Sequence, residues 1–136
     1  MRKAPVTVII PAYNASKFLA ETVHSASAAS PEKIIVVDDG STDSTLQIAH
    51  DLQKVIEGLE VHTKSNGGES SAINFGLGIN KSKYVLFLSS DDLISENLLT
   101  LASEILDENP SITVVYPSWR KIDSSGKVIG QVTDID

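Results

Sequence analysis

Acidic residues occur in adjacent pairs at two places where a short apolar run of the sequence ends. Asp38 and Asp39 follow one such run, and Asp91 and Asp92 follow another after two serines. Carboxylates that lie close together repel one another unless a positive charge lies between them. A hard divalent cation with oxygen ligands, Mg²⁺ or Mn²⁺, meets this requirement and is commonly shared with substrate phosphates. The two pairs therefore predict metal-bridged binding of a nucleoside diphosphate, if the fold brings them together.

The segments between these pairs alternate between strand and helix patterns. Short apolar, mostly β-branched runs indicate buried strands, and apolar residues at helical spacing indicate amphipathic helices. Such an alternation predicts βαβ units and an α/β fold, a three-layer sandwich with a mostly parallel central sheet. The expected strands are 6–10, 33–37, 59–63 (a weaker one), 84–88 and 112–116, followed by a hairpin over 121–129. The expected helices begin near Asn14 or Ser16, near Ser41 or Thr42 with Asp43 in the first turn, at Glu69, and at a cap on Ser95.

Polar clusters follow each of the first four expected strands. Parallel strands bring their carboxyl ends to one edge of a sheet, which is where open α/β sheets bind ligands. We therefore expect a single cleft that contains at least four carboxylates, several hydroxyls and flexible glycine loops. The clusters are residues 11–14, 38–41, 66–68 and 89–92.

Composition narrows the class of protein. The 136 residues suit one domain spanning 1–136, and the formal net charge of −7 argues against binding to nucleic acid or to an anionic membrane. The sequence has no cysteine, which excludes disulfides and thiolate metal sites. No apolar stretch approaches the roughly 20 residues that cross a bilayer. We expect a cytoplasmic location, or one at the cytosolic face of a membrane.

Four motifs in order resemble family 2 glycosyltransferases. They are residues 6–14, 34–43, 66–74 and 85–92, and their spacing matches the nucleotide-sugar-binding half of that family, which has the GT-A fold. Each motif alone is weak, but the four together are specific and cover essentially the whole chain. The resemblance implies a metal-dependent, inverting, hexosyltransferase-like enzyme of class EC 2.4. Its donor would be a nucleotide-diphosphate sugar, with a UDP-sugar as the expected class. Its acceptor would be a carbohydrate or glycolipid hydroxyl, in polysaccharide assembly for the cell envelope.

The resemblance also implies which residues hold the nucleoside. The loop formed by Pro11, Tyr13 and Asn14 corresponds to the family's loop around the nucleoside. Asp39 corresponds to the acid that reads the uracil or ribose of the donor, and Asp38 lies beside it.

A second group of residues corresponds to the sugar and diphosphate side of the family's site. Ser90, Asp91 and Asp92 match the end of its DXD-type motif, in which acids hold the metal, and either Asp can be the ligand here. The segment that lines the sugar-nucleotide cleft corresponds to Asn66, Gly67, Ser71 and Asn74.

Three departures from the family pattern stand out. Ser89 replaces the first acid of the usual DXD-type motif, and Ile73 stands where many relatives carry an arginine. The family's catalytic base has no counterpart, because Asp123, Asp134 and Asp136 lie too close to the expected fifth strand. We therefore assign no base and expect that the sequence is the N-terminal portion of a longer enzyme. The alternative is a nucleotide-sugar-binding module without turnover.

Structural interpretations of the same residues remain open. The two acid pairs can be helix-flanking or capping residues, and the segment 66–68 can be a simple turn. Trp119 is expected to pack under the terminal hairpin, with a place beside a sugar acceptor as the alternative. A dinucleotide-binding oxidoreductase is excluded, because residues 11–14 lack the required glycines.

Overall fold

A computed structural model describes residues 2–132 of the chain, which form strands and helices in near-strict alternation. This order confirms the α/β class predicted from the sequence. The elements are β1 (Ala4–Ala12), α1 (Leu19–Ala28), β2 (Pro31–Asp38), α2 (Thr45–Gln53), β3 (Leu59–Thr63), α3 (Glu69–Ile79), β4 (Tyr84–Phe87), α4 (Leu98–Glu108), β5 (Trp119–Ile122) and β6 (Val128–Val132).

The first four strands form one parallel sheet in the order β3-β2-β1-β4. β1 and β2 are the inner strands, and their register pairs Ala12 with Asp38 at the carboxyl end. The remaining two strands form a separate antiparallel hairpin. The predicted parallel sheet is therefore confirmed, and its carboxyl edge is built from the ends of β1 and β2.

Side chains of the sheet point alternately to its two faces, and helices cover both faces. Val8 and Ile10 belong to the core cluster that also includes residues of α1, α2 and α4. Ile35 and Val37 pack on the opposite face with Ala72 of α3. The arrangement is the expected three-layer sandwich, with α3 as the described helix that covers the second face.

The starts of three helices lie later than predicted. Residues 16–18 form a turn, so α1 begins after Phe18 rather than near Asn14. α2 begins after Ser44, which places Asp43 before the helix and not in its first turn. Ser95 does not cap α4 with its side chain; its backbone carbonyl accepts a hydrogen bond from the Leu98 N–H at 3.2 Å. The first two starts were wrong because Asn14 and Asp43 accept hydrogen bonds from other loops, and the third because Ser95 Oγ donates to Asn97 Oδ1 of its own loop.

Two strand predictions need correction. Residues 112–116 form no strand, because within the described chain this segment has no partner strand and Val114 is 72% exposed. β4 forms as predicted but is an edge strand rather than a buried one, and Phe87 is 48% exposed. The hairpin predicted over 121–129 is confirmed, although Trp119 is half-exposed on it and does not pack underneath.

Two glycines in α3 differ in what surrounds them. A Cβ atom built on Gly76 would lie 2.7 Å from Cγ2 of Ile9, a fully buried residue of β1. A Cβ atom on Gly78 would meet nothing within 4 Å. Gly76 thus allows the helix to lie close to the sheet, whereas Gly78 only lowers the intrinsic stability of the helix.

We expect Gly76→Ala to destabilise the fold by about 1–3 kcal/mol, because the added methyl group displaces the rigid, β-branched Ile9. Gly78→Ala is the matched control and should raise the free energy of unfolding by up to about 1 kcal/mol. Denaturant unfolding of both variants measures the difference. Equal effects of the two substitutions would show that α3 does not contact β1 at Gly76.

Candidate functional site

A cavity of about 500 Å³ opens at the carboxyl edge of the sheet. It lies between the loop after β1, the start of the loop after β2 and the loop after β4. We call it the first cavity. The predicted site residues that line it are Pro11, Tyr13, Asn14, Asp39, Ser90 and Asp91.

Asp39 is the most constrained side chain of this edge. The residue is 3% exposed, and its backbone N–H donates to the Ala12 carbonyl at 2.8 Å. Its Oδ1 accepts hydrogen bonds from Lys64 Nζ at 2.9 Å and from the Gly67 N–H at 3.0 Å. Its Oδ2 accepts a third from the Gly68 N–H at 2.8 Å. One carboxylate therefore holds the segment after β3 against the end of β2.

These donors keep Asp39 ionised. Burial by itself raises the pKa of the carboxyl group, because a charge is costly to desolvate. The hydrogen bond from Lys64, those from Gly67 and Gly68, and the Lys64 charge lower it, and together they outweigh burial. The net result is an Asp39 pKa below its ordinary value, so the first cavity presents a carboxylate rather than a carboxylic acid.

Asp38 occupies a different position from its neighbour. It is buried, its Oδ2 accepts a hydrogen bond from Thr63 Oγ1 at 2.9 Å, and its Oδ1 accepts one from the Ser41 N–H at 3.3 Å. It does not line the first cavity. The carboxylate of Asp38 thus joins β2 to β3 and to its own turn, which is a structural arrangement.

The segment after β3 supports Asp39 more than it lines the first cavity. Asn66 Nδ2 donates to the Asp39 carbonyl at 3.1 Å, and a Cβ on Gly67 would collide with Ser71 Oγ and Lys64 Nζ. The predicted residues of this segment do not line the first cavity; they are Asn66, Gly67, Ser71 and Asn74.

The turn after β2 depends on Gly40. Its φ of +76° lies in the region that side chains rarely adopt, and a Cβ there would lie 2.8 Å from the Asn66 backbone nitrogen. The turn can therefore approach the segment after β3 only because residue 40 has no side chain.

Asn14 connects the loops after β1 and β2. Its backbone has a φ of +47°, a conformation that asparagine tolerates better than most residues. Its Oδ1 accepts hydrogen bonds from the Thr42 N–H at 2.8 Å and from the Asp43 N–H at 3.4 Å. In return its own N–H donates to Ser41 Oγ at 3.0 Å. The two loops are thus bonded in both directions.

Asp43 completes this connection at the start of α2. Its Oδ1 accepts hydrogen bonds from the Thr45 hydroxyl and from the Thr45 N–H, the latter at 2.9 Å. Its Oδ2 accepts one from the Ser16 N–H at 3.3 Å. The Thr45 hydroxyl is the main cause that lowers the Asp43 pKa to about 2, with some opposition from desolvation.

Asp91 and Asp92 lie on the far side of the first cavity from Asp39. Neither carboxylate has a hydrogen-bond or ion-pair partner among residues 2–132. Although Asp92 is exposed as a residue, partial desolvation of its carboxyl group and the charge of Asp91 raise its pKa. Two adjacent, unpaired carboxylates with mutual repulsion are oxygen ligands that suit a hard divalent cation.

The expectation of four carboxylates in one cleft is wrong. Asp38 faces β3, and Asp92 lines a neighbouring cavity rather than the first one. Within residues 2–132 no three acidic or histidine side chains lie close enough to hold a metal ion by themselves. The positive charge beside Asp39 is the ammonium group of Lys64.

Sequence reasoning missed several residues of this site. Lys64 directly follows β3, so the same strand-end argument that located the other clusters applies to it. Phe18, Lys17 and Glu69 line the first cavity from the turn before α1 and the first turn of α3. No signal in a single sequence distinguishes these three from ordinary helix-start residues.

Comparison with known proteins identifies the family. The model of Glycosyl transferase family 2 matches residues 7–134 of the chain. The chain belongs to this family. Among curated relatives, it is 29% identical to the glycosyltransferase GlyG of Streptococcus pneumoniae and 30% identical to the chondroitin synthase of Escherichia coli. These matches cover 96% and 95% of the chain but only 44% and 19% of the relatives.

Solved structures show the same fold for this family 2 glycosyltransferase domain. The structure of S. aureus TarS in complex with UDP-GlcNAc superimposes with a TM-score of 0.70 and 34% identity. The match covers 80% of this chain and 32% of TarS, and it establishes the GT-A fold. The domain therefore spans less than half the length of these relatives. None of its helices in residues 2–132 is long and apolar enough to cross a membrane.

We expect Lys64→Met to raise the Asp39 pKa and to destabilise the domain by about 1–3 kcal/mol at pH 7, because a buried carboxylate loses a charged donor. Carboxyl ¹³C NMR and denaturant unfolding measure the two effects. Lys54→Met is the matched control, since Lys54 pairs with Asp51 at the surface, where ion pairs contribute little. An unchanged Asp39 pKa in Lys64→Met would show that the Lys64 ammonium group does not stabilise the ionised Asp39.

Asp43→Asn should lower the free energy of unfolding at pH 7. Because the folded-state pKa is about 2 and the ordinary value is 3.8, the contribution of Asp43 is complete above about pH 4. This contribution disappears as the pH falls towards 2, so the difference in free energy of unfolding between wild type and variant should decrease over that range. Unfolding curves at several pH values test this, with Asp51→Asn, an exposed position of α2, as control. A difference in free energy of unfolding that does not change with pH would show that folding does not lower the Asp43 pKa.

Proposed function

We propose that the domain binds a UDP-sugar in the first cavity and that the protein transfers the sugar to an acceptor hydroxyl. The observation that carries this proposal is that a single cavity is lined by the ionised Asp39 at one side and by Asp91 at the other. The nucleoside would lie beside Tyr13 and Asp39, and the diphosphate would extend towards Asp91. The complex of TarS with UDP-GlcNAc, at 34% identity, supports a uridine donor.

The hydrogen bonds of Asp39 leave room for one ligand donor. A carboxylate has about four accepting positions, two on each oxygen. Lys64 and Gly67 occupy both positions on Oδ1, and Gly68 occupies one on Oδ2. The remaining position on Oδ2 would accept the N3–H of uracil. The corresponding nitrogen of cytosine carries a lone pair and no proton, so an ionised Asp39 would disfavour it.

Asp91 and Asp92 would hold Mg²⁺ or Mn²⁺ together with the donor phosphates. The fit rests on their oxygen ligands, on their lack of partners among residues 2–132, and on the partial desolvation and the Asp91 charge that together raise the Asp92 pKa. When bound, the cation supplies neutralisation of the negative charge on the departing nucleoside diphosphate. Two protein ligands plus phosphates and water suit Mg²⁺, which rarely uses an all-protein site.

The transfer itself would be a direct displacement with inversion at the anomeric carbon, and the enzyme would be a hexosyltransferase-like member of class EC 2.4. The acceptor would be a carbohydrate or glycolipid hydroxyl, and the products would enter polysaccharide assembly. Asp123 is unsuitable as the base, because its Oδ1 already accepts hydrogen bonds from Ser125 and Lys127 within the hairpin turn. Asp134 and Asp136 lie outside the described residues. No base is therefore assigned.

Calorimetric titration of the 136-residue chain with UDP, with and without Mn²⁺, tests the site. We expect Mn²⁺-dependent binding of UDP and weaker binding of CDP. Asp39→Asn should weaken UDP binding by roughly 10- to 100-fold, since a charge-assisted hydrogen bond is lost. Asp91→Asn and Asp92→Asn should reduce the effect of Mn²⁺, and Asp51→Asn should change nothing.

Two results would contradict the proposal. Absence of Mn²⁺-dependent UDP binding by the folded wild-type chain would reject the donor site. Wild-type affinity in both the Asp91 and the Asp92 variants would show that the cation lies elsewhere.

A further inference from the structure

The buried face of α1 has one polar member. Leu19, Val23 and Ala26 are fully buried, and Thr22 among them is equally buried, with a side chain that carries a hydroxyl group. A valine has nearly the same shape and would bury no hydroxyl, so the hydroxyl of a threonine in this place needs a partner. In a helix that partner is commonly the carbonyl one turn earlier. Thr22 Oγ1 donates instead to the Ser90 carbonyl at 2.9 Å, in the loop after β4.

A second hydroxyl of α1 contacts the other end of the same loop. Ser25 lies three positions after Thr22, so the two side chains share one face of the helix. Ser25 Oγ donates to the Thr22 carbonyl at 2.9 Å and accepts a hydrogen bond from the Ile94 N–H at 3.3 Å. The bond within the helix fixes the direction of the hydroxyl proton and leaves a lone pair for the Ile94 N–H.

These two hydrogen bonds lie on either side of the second acid pair. Ser90 directly precedes Asp91, and Ile94 follows Asp92 by two positions. Within residues 2–132, they are the hydrogen bonds that join the segment 89–94 to another part of the protein. The two carboxylates have no partners of their own among these residues. Their position therefore depends on how α1 holds the backbone that carries them.

The position of such carboxylates matters for the binding of a cation. Mg²⁺ requires oxygen ligands in a nearly ideal octahedral arrangement. A loop that becomes ordered only when the ion binds loses conformational entropy at that moment, and this loss weakens binding. A loop that is already held by the helix avoids most of that loss. Groups that orient metal ligands without contacting the metal accordingly have large effects on metal affinity.

We propose that Thr22 and Ser25 are positioning residues for the cation. They hold the loop backbone before and after Asp91 and Asp92, so that both carboxylates are in place before the cation binds. Neither hydroxyl contacts the cation. The inference rests on the proposed cation site, whereas binding of the nucleoside beside Asp39 does not depend on it.

Mn²⁺ is the probe that tests this role. Its binding to the 136-residue chain is measured by electron paramagnetic resonance of the free ion, with and without UDP. Thr22→Val removes the hydroxyl and nearly keeps the shape, and it should weaken Mn²⁺ binding roughly 10-fold, as for other groups that orient metal ligands. Ser25→Ala should also weaken Mn²⁺ binding, and Thr22→Ser, which keeps a hydroxyl, should retain most of the affinity. UDP affinity measured by calorimetry without Mn²⁺ should be unchanged in all three variants.

Thr7→Val is the matched control. Thr7 is 1% exposed, and its hydroxyl donates to Ser82 Oγ at 2.7 Å, before β4 and at the opposite edge of the sheet from the cavity. The substitution and the loss of a buried hydrogen bond are the same as in Thr22→Val. We therefore expect a similar decrease in thermal stability and no change in Mn²⁺ affinity. Equal weakening of Mn²⁺ binding in the two valine variants would overturn the positioning role in favour of a general loss of stability.

Amide hydrogen exchange measures the loop without any ligand. The amides of residues 90–94 should exchange faster in Thr22→Val and in Ser25→Ala than in the wild type and in Thr7→Val, because the loop has lost a hydrogen bond to α1. Unchanged exchange in both variants would show that the helix does not hold the loop and would overturn the proposal.

The positioning role and the donor site fail separately. Wild-type Mn²⁺ affinity in both Thr22→Val and Ser25→Ala would overturn the positioning role and leave the donor site intact. A wild-type chain that binds Mn²⁺ but no UDP would reject the donor site, and the variants would then decide the positioning role from the ion alone. Absence of Mn²⁺ binding with and without UDP would reject the cation site and the positioning role together.

Discussion

The buried carboxylate of Asp39 is the interaction on which the candidate site depends. It accepts hydrogen bonds from one ammonium group and two backbone N–H groups, and all three donors come from the segment that follows β3. A buried carboxylate without partners would be costly, so the segment and the carboxylate require each other. The turn at Gly40 brings them together by allowing the backbone to approach Asn66. The candidate ligand-binding edge of the sheet is thus held together by one buried carboxylate whose hydrogen-bond donors all come from the protein.

This arrangement changes how the acid pairs are interpreted. Their density in the sequence suggested that one cation neutralises all four carboxylates. The structure divides them instead, because Lys64 neutralises Asp39, Thr63 and Ser41 satisfy Asp38, and only Asp91 and Asp92 are without partners among residues 2–132. The proposed divalent cation therefore concerns the second pair alone. Adjacent identical residues have different roles because successive side chains at a strand end point in opposite directions.

Much of the fold and part of the site follow from the sequence alone. The parallel sheet is predictable because the runs in β1 and β2 are apolar on both faces, and the carboxyl-edge rule then locates Pro11, Tyr13 and Asp39. Lys64 was missed because its importance depends on a contact with a residue 25 positions away. The segment 112–116 has residues that favour strands but lacks a partner strand in the described chain. A strand needs such a partner whatever its residue propensities are. The prediction that Trp119 packs under the hairpin was wrong for a similar reason, since the sequence of a hairpin does not show which of its faces is exposed.

The reciprocal hydrogen bonds between Asn14 and residues 41–43 have a mechanical consequence. They join the loop after β1 to the start of α2, and Asp43 returns a bond to Ser16. A displacement of Tyr13 by a ligand is therefore transmitted to α2 through several short bonds rather than absorbed by one flexible loop. The wall of the first cavity on this side should therefore move together with the start of α2. The opposite wall is joined to a different helix, because Thr22 Oγ1 donates to the Ser90 carbonyl at 2.9 Å and the Ile94 N–H donates to Ser25 Oγ at 3.3 Å. A ligand that displaces the loop after β4 would therefore act on α1 rather than on α2.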